Sequence, residues 1–167
     1  MNYQNFDQII TEETNFDLCA SDILNNPSFY AGIQLIALRN GIASANTYTT
    51  VINNQHGVYH IWIDTEEVSD SNLHKMKCIY VGKGEGGKRV KDHLSSKLID
   101  YETVYVSFFE CNNRKSKYIE QLFLDLYDIE LNKAECRGTE SLYANFDFNH
   151  RIIGSHPEGF LNRFFNN

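Results

Sequence analysis

The sequence lacks the features of secreted, membrane-spanning and strongly basic proteins. No run of eighteen apolar residues occurs, so we expect no transmembrane helix. The first residues, MNYQNFDQIITEET, have neither a basic start nor an apolar stretch. We therefore expect no signal peptide and a cytoplasmic location, although delivery to another cell by a different route stays open. Fifteen Lys and Arg against 22 Asp and Glu give a net charge of −7, which argues against a protein that holds nucleic acid by bulk charge.

Paired cysteines, internal repeats and low-complexity tracts are also missing. The four cysteines form no C-x-x-C pair, so we expect reduced core thiols and no structural zinc. They are Cys19, Cys78, Cys111 and Cys136. The chain of 167 residues is 42 % apolar and contains 11 Phe and 10 Tyr. That composition supports a packed core and one folded domain, and it excludes wholesale disorder.

Charge is distributed unevenly along the chain. Residues 1–70 hold one basic side chain against nine acidic ones, whereas residues 71–117 hold ten basic against five acidic. Residues 118–167 are acidic again, with four basic against eight acidic. The basic middle segment is consistent with a local anion-binding face, and chance clustering on a solvated surface stays open as the alternative.

Residues 1–56 are predicted to form a helical N-terminal extension. Ser28 can cap a helix that Gly41 ends, and a shorter helix is expected between Asp17 and Asn25. The segment TYTTV (47–51) is β-prone.

Residues 57–135 are predicted to form the core, and residues 136–167 a tail rich in Phe and Leu that packs back on it. Alternating or apolar segments predict three strands, GVYHIWI (57–63), CIYVG (78–82) and TVYVSFF (103–109). The connection 64–77 is polar and turn-like, and KGEGG (83–87) is expected to be a turn. Helices are expected over 87–97 and from an Asn112 cap to about Asp128.

Two predicted strands each present a tyrosine, Tyr59 and Tyr80, and the helix after them presents two basic groups. Arg89 and His93 are four residues apart, so they share a helical face about 6 Å apart. A strand tyrosine is also an ordinary packing residue, and Arg89 with His93 could be a solvated basic face. Both of these plainer interpretations stay open at this point.

Glu120 interrupts the apolar stripe of the predicted long helix. Its neighbours at +3, +4 and +7 are Phe123, Leu124 and Tyr127, so the carboxylate lies beside apolar surface. Desolvating a lone carboxylate is costly unless a cation or a metal ion partners it. The alternative is a glutamate at the edge of the stripe that reaches water.

The glycines at 82, 84 and 87 match G-x-G-x-x-G between a predicted strand and a predicted helix. Glu102 follows Gly82 by twenty residues, as in the dinucleotide-binding pattern. However, the following helix is cationic and poor in small apolar residues, and no βαβ unit precedes it. Nucleotide binding through this turn is therefore a disfavoured alternative.

Taken in order, these motifs resemble the GIY-YIG nuclease superfamily over about residues 57–135. The segments Gly57-Val58-Tyr59 and Tyr80-Val81-Gly82 match its two signatures, with Val for the usual Ile in each. The further matching positions are Lys83, Arg89, His93, Glu120 and Asn132. The connection 64–77 departs from the family because it is longer than the usual hairpin. The resemblance implies an α+β fold in which helices flank a small, three-stranded, mainly antiparallel sheet.

The resemblance also implies a reaction, the hydrolysis of DNA phosphodiester bonds with one Mg²⁺ or Mn²⁺ ion held by Glu120. Tyr59 would be the general base, with its pKa lowered by Lys83, and Tyr80 would position the attacking water. Arg89 would stabilise charge on the phosphoryl group, and His93 would bind phosphate or hold Tyr59. Asn132 would brace the site through hydrogen bonds.

Two other functions remain open at the level of the sequence. The first is a catalytically silent relative that binds a protein or a nucleic acid, and the second is the nucleotide-binding enzyme described above. Residues 1–56, which are acidic, are expected to be structural or to contact a protein partner or a second copy of the chain rather than DNA.

Overall fold

A five-stranded antiparallel sheet organises the described part of the chain. The computed structural model describes residues 3–25, 29–70, 73–96, 98 and 100–146. The strands are β1 (Phe29–Gln34), β2 (His56–Val68), β3 (His74–Glu85), β4 (Thr103–Glu110) and β5 (Tyr143–Phe146). They lie in the order β1-β4-β2-β3-β5, and every neighbouring pair is antiparallel.

Six α-helices surround this sheet within the described residues. They are α1 (Gln4–Glu13), α2 (Ala20–Asn25), α3 (Leu35–Arg39), α4 (Ala45–Thr49), α5 (Gly86–Ser96) and α6 (Asn113–Leu126). Short 3₁₀ helices occur at Thr50–Ile52 and Glu130–Asn132. The side chain of Asn112 caps α6 as predicted, since its Oδ1 accepts a hydrogen bond from the Lys115 N–H at 2.9 Å. None of the helices in these ranges has the length and apolar character needed to cross a bilayer.

The predicted three-stranded sheet is wrong, because the domain is α+β with five strands. The two additional strands are the outer ones. β1 pairs with β4 over six residue pairs, and β5 pairs with β3 over four. The N-terminal segment therefore supplies an edge strand to the same sheet as the predicted core. The expected packing of residues 147–167 lies outside the described residues.

Two local predictions within residues 1–56 are also wrong. The expected helix ending at Gly41 is a strand up to Gln34, and only Leu35–Arg39 is helical. The spacing of Phe29, Ile33 and Ile36 suits one face of a helix, but residues 29–34 pair with β4 and form a strand. The β-prone segment 47–51 lies in α4 and the following 3₁₀ helix, where Ser44 Oγ accepts a hydrogen bond from the Asn46 N–H at 3.3 Å.

The polar connection 64–77 is mostly strand rather than turn. β2 continues to Val68 and β3 begins at His74, and cross-strand polar contacts hold this end of the hairpin together. Lys75 Nζ lies 2.7 Å from Glu67 Oε2, and His74 Nδ1 lies 3.2 Å from Asp64 Oδ2. Opposite charges on facing strands stabilise such a ribbon even when little of it is buried.

Each face of the sheet has its own hydrophobic core. One core joins α1, α2 and α6 to Val58, Trp62 and Val81. The other joins α5 to Tyr59, Ile61 and the other side chains on the opposite face of the sheet. The predicted alternation along β2 is confirmed, because successive residues enter opposite cores. The segment before residue 56 contributes fully buried side chains to both cores, namely Phe6, Ile10, Ile23, Leu24, Ala31, Ile33 and Ile52.

His60 is a fully buried histidine in the core beneath α6. Its ring stacks on Trp62 with 5.4 Å between centroids and meets Phe123 edge-on at 4.9 Å. Neither ring nitrogen has a hydrogen-bond partner among the described residues. Its cross-strand neighbour Ser107 accepts a hydrogen bond from Trp62 Nε1 instead, at 2.8 Å. Burial lowers the pKa of His60 to about 3.

Replacing His60 by Phe is expected to stabilise the fold. The ring keeps its shape, and an unsatisfied buried polar group costs about 1–3 kcal/mol, so the free energy of unfolding at pH 7 should rise by about that amount. In the wild type, His60 binds a proton below pH 6.5 when the protein is unfolded, whereas in the folded protein it stays neutral down to about pH 3. Stability should therefore fall by about 2 kcal/mol more in the wild type than in His60→Phe between pH 6.5 and 5.

Urea unfolding at several pH values measures both effects. His74→Phe is the matched control, because His74 is half-buried and paired with Asp64, so its replacement should not stabilise the protein. An unchanged or lower unfolding free energy for His60→Phe at pH 7 would contradict this account of His60.

Candidate active site

The predicted site residues gather at the open edge of β3. β5 covers this edge only from His74 to Lys77, and Leu142 O accepts the next hydrogen bond, from the Cys78 N–H at 2.9 Å. Beyond that point the side-chain amide of Asn132 takes the place of a strand. Its Oδ1 accepts from the Val81 N–H at 2.9 Å, and its Nδ2 donates to Val81 O at 3.1 Å. Asn132 therefore satisfies the backbone at the centre of the YVG segment.

Tyr59 lies directly across Gly82. The two residues are paired in the register of β2 and β3, and a Cβ on Gly82 would collide with the Tyr59 ring and hydroxyl. The same Cβ would lie 2.9 Å from Tyr80 Cε1. Gly82 is therefore required because the Tyr59 phenol occupies the space where any other side chain would begin.

A β-bulge places Tyr80 on the same face as Tyr59. Ile61 pairs with Tyr80, but the next residue of β2, Trp62, pairs with Cys78, so Ile79 is skipped. Tyr59 and Tyr80 are consequently diagonal neighbours on the α5 side of the sheet, with ring centroids 5.9 Å apart. Bulges of this kind redirect side chains near functional sites.

Helix α5 brings His93 and Arg89 against the two phenols. The His93 ring is buried, with its centroid 4.4 Å from that of Tyr80 and 5.9 Å from that of Tyr59. The stem of Arg89 crosses Gly84, where a Cβ would lie 3.5 Å from Arg89 Cγ. The guanidinium is close enough to both hydroxyls to lower their pKa values. The structure thus brings four of the predicted residues together on one face.

Burial dominates the electrostatics of both tyrosines. It raises the pKa of Tyr59 well above its usual value of 10, the nearby Tyr80 raises it further, and Arg89 offsets only part of this. The Tyr59 hydroxyl is buried without a well-aligned hydrogen bond among the described residues. Burial also raises the pKa of Tyr80, with Tyr59 and Arg89 lowering it and Glu120 and Glu135 raising it. Tyr59 is therefore a neutral phenol at pH 7 in this state.

Lys83 and Glu120 form an ion pair on the other face of the sheet. Lys83 pairs with Val58 in the register, so its side chain shares the α6 side with Val58, and it meets Glu120 from the middle of α6. The structure therefore differs from the expectation that Lys83 lowers the pKa of Tyr59. The cation that does so is Arg89. Alternation from Tyr80 through Gly82 already places Lys83 on the opposite face.

Glu120 is the predicted residue suited to hold a divalent ion. Its side chain is 14 % exposed and already faces a cation, the Lys83 ammonium, so the local environment accommodates positive charge. Among the described residues no cluster of three or more His, Cys, Asp or Glu side chains could hold a metal. Mg²⁺ accepts such a site when water and phosphate oxygens fill the other positions. Glu120 and its surroundings therefore suit a single divalent ion that is also coordinated by an anionic ligand such as a phosphate.

Two contributors to the site were missed in the sequence. Glu135 follows the 3₁₀ helix that carries Asn132, and its charge raises the pKa of Tyr80. Nothing in its sequence surroundings marks it. The second is the packing role of Gly82, for which the pairing of a glycine with a tyrosine in adjacent strands was the available signal.

The glycine segment does not form a phosphate-binding turn. β3 continues through Glu85 and α5 begins at once with Gly86, which replaces the predicted KGEGG turn. The space beside Gly82 is filled by Tyr59, and that beside Gly87 by the side chain of Asn53. A dinucleotide would need these glycines to leave the backbone open.

Replacing Asn132 by Leu is expected to destabilise the protein. Leu has a similar volume but leaves the Val81 N–H and C=O without partners, and each such buried group costs about 1–3 kcal/mol. The free energy of unfolding should therefore fall by about 2–4 kcal/mol in urea titrations. Asn113→Leu, at an exposed position of α6, is the control and should change stability little. Equal stabilities for the two variants would refute the bracing role of Asn132.

Comparison with models of known families, with characterised proteins and with solved structures finds no match to this chain. The functional assignment therefore depends on the side chains at the open edge of β3 and on their contacts.

Proposed function

We propose that the protein is a divalent-metal-dependent endonuclease that hydrolyses DNA phosphodiester bonds. The observation that carries this proposal is the grouping of side chains around the YVG segment of β3. Tyr59, Tyr80, His93 and Arg89 lie together on one face, and the charge of Glu120 reaches Tyr80 from the other. Two phenols, an imidazole, a guanidinium and one shielded carboxylate supply the groups that phosphodiester hydrolysis needs.

Tyr59 is the proposed general base. Its hydroxyl is fully buried beside Tyr80 and Arg89, which both act on its pKa. A base works only when deprotonated, and the raised pKa of Tyr59 makes that form scarce at pH 7. Arg89 is the cation beside the hydroxyl, and it favours the phenolate as the proton leaves.

Arg89 has a second proposed role on the substrate. Its guanidinium is at the exposed end of the cluster, where it can donate two hydrogen bonds to a phosphate. His93 is buried between the phenols, so it holds their rings in place. Tyr80 then orients the water for attack in line with the leaving oxygen.

Glu120 is the proposed ligand for one Mg²⁺ or Mn²⁺ ion. When bound, such an ion neutralises the scissile phosphate and stabilises the leaving 3′ oxygen. Among the described residues Glu120 is the one site carboxylate paired with a cation, so an ion held there would need further oxygens from water and the phosphate. The net charge of −7 predicts a weak, salt-sensitive association with DNA.

A catalytically silent domain that binds a protein or nucleic acid is the second candidate. Two observations favour it, since Lys83 already neutralises Glu120 and burial raises rather than lowers the pKa of Tyr59. In that case the buried phenols and His93 serve packing alone, and removing the Tyr59 hydroxyl changes no reaction.

Residues 1–56 suit a protein partner or a second copy of the chain. Their net charge is acidic, which opposes contact with DNA. They also present three exposed apolar side chains that a partner would cover. These are Ile36, Ile42 and Val51, at 53, 71 and 48 % exposure.

Supercoiled plasmid distinguishes the endonuclease from the silent domain. The wild type should nick it with Mg²⁺ or Mn²⁺ and not with EDTA. Glu120→Gln and Arg89→Ala should each lower the rate by about 10²–10³-fold, because each removes a charge that stabilises the transition state. Tyr59→Phe should lower it by about 10²–10⁴-fold, the usual contribution of a general base, while DNA binding persists.

Two matched variants control for general damage. Tyr48→Phe alters another buried tyrosine of the same core, and Arg137→Ala removes an exposed arginine paired with Asp125. Both should cleave at nearly the wild-type rate. Near-normal turnover by Tyr59→Phe would refute its role as base. Equal DNA binding by all variants with no metal-dependent nicking would establish the silent domain instead.

The pH dependence of cleavage reports on Tyr59. Because its pKa lies above the usual 10, the reactive phenolate becomes more abundant throughout the accessible range. The wild-type rate at saturating metal should therefore rise about tenfold per pH unit between pH 7 and 9. The residual rate of Tyr59→Phe should lack this slope. A flat wild-type profile would assign the rate-limiting base to another group.

A further inference from the structure

The Lys83–Glu120 ion pair differs from the surface ion pairs of the described residues. The lysines are equally exposed, at 34 % for Lys83 and 35 % for Lys75, but Glu120 is 14 % exposed whereas Glu67 is 65 % exposed. An exposed carboxylate can exchange its lysine for water at little cost. A shielded one cannot, because its charge needs a compensating cation close by.

The surroundings of Glu120 explain why a cation is needed there. It lies on α6 between residues whose side chains enter the core, including Ile119 and Phe123, both fully buried. Lys83 reaches it from β3. Of the charges that act on Tyr80 at this edge, Glu120 and Glu135 are negative and Arg89 is positive. Without Lys83, Glu120 and Glu135 would face Arg89 alone, which leaves a net negative charge where the anionic substrate is proposed to enter.

We propose that Lys83 is a resident cation that holds the Glu120 carboxylate until a divalent ion displaces it. This inference rests on the proposed metal site, and it concerns how that site is regulated. A divalent ion and the Lys83 ammonium need the same carboxylate oxygens, so the two compete. Metal binding by the free protein is then weaker than the carboxylate alone would allow.

Displacement gives Lys83 a second partner. Once the ion takes over Glu120, the ammonium at the end of its flexible stem is free to pair with a nearby phosphate. The phosphate therefore stabilises the metal-bound arrangement twice, through the ion and through Lys83. By linkage, the anion raises metal affinity as much as the metal raises anion affinity. The site thus resists loading with metal in the absence of a phosphate ligand.

Isothermal titration of the full chain with Mn²⁺, without DNA, tests the competition. Lys83→Met keeps most of the aliphatic stem and removes the charge, so it should bind Mn²⁺ about tenfold more tightly than the wild type. Glu120→Gln should abolish that binding, and Lys83→Arg should not tighten it. Lys75→Met is the matched control, because it removes a lysine ion pair from the same strand and should leave the affinity unchanged.

Thermal melting gives a second readout that needs no catalysis. Metal-free Lys83→Met should melt at a lower temperature than the wild type, because its Glu120 charge is uncompensated. Saturating Mn²⁺ should raise its melting temperature by more than it raises that of the wild type. Lys75→Met should show no such difference between the two conditions.

Two outcomes overturn the proposal. One is that Lys83→Met binds Mn²⁺ no more tightly than the wild type, and the other is that Mn²⁺ binding does not depend on Glu120. Failure of the proposed function is distinguishable, since a wild type that binds Mn²⁺ through Glu120 in competition with Lys83 but cleaves no plasmid contradicts only the nuclease.

Discussion

The pairing of Tyr59 with Gly82 across β2 and β3 is the contact on which the candidate site depends. It gives the Tyr59 phenol a place that no other residue at position 82 would leave free. The bulge two residues away then turns Tyr80 to the same face. Helix α5 begins directly after β3, and His93 on this helix therefore packs against both tyrosine rings. One backbone register thus assembles groups that lie far apart in the sequence.

The second constraint is the open edge of β3, where charged side chains on one face of the sheet lie close enough to act on side chains of the other face. Asn132 closes the backbone of this edge with two hydrogen bonds to Val81 instead of a sixth strand. A sixth strand would pair with more of this edge, whereas Asn132 contacts the backbone of Val81 alone. The asparagine amide satisfies the buried polar groups of Val81 without a further strand. The charges on the α6 side can therefore act on a phenol from the α5 side.

Much of this arrangement could be predicted from sequence, and the failures have physical causes. The alternation in β2 and the Asn112 cap of α6 are local signals, and both predictions are confirmed. β1 was missed because the spacing of Phe29, Ile33 and Ile36 suits a helix, and the partner residues in β4 lie 69 to 79 positions later. Lys83 was expected beside Tyr59, but strand alternation places it on the α6 face with Val58.

The proposed reaction requires one phosphate to bind beside the ring of residue 59, between Arg89 and an ion on Glu120. A crystal structure of the Tyr59→Phe protein with a short DNA duplex and Mn²⁺, using the anomalous signal of the metal, tests this most directly. The account predicts one manganese peak at the Glu120 carboxylate, with a phosphate bridging it to Arg89 and the ammonium of Lys83 moved away. Manganese bound elsewhere, or DNA seated away from the open edge of β3, would contradict it.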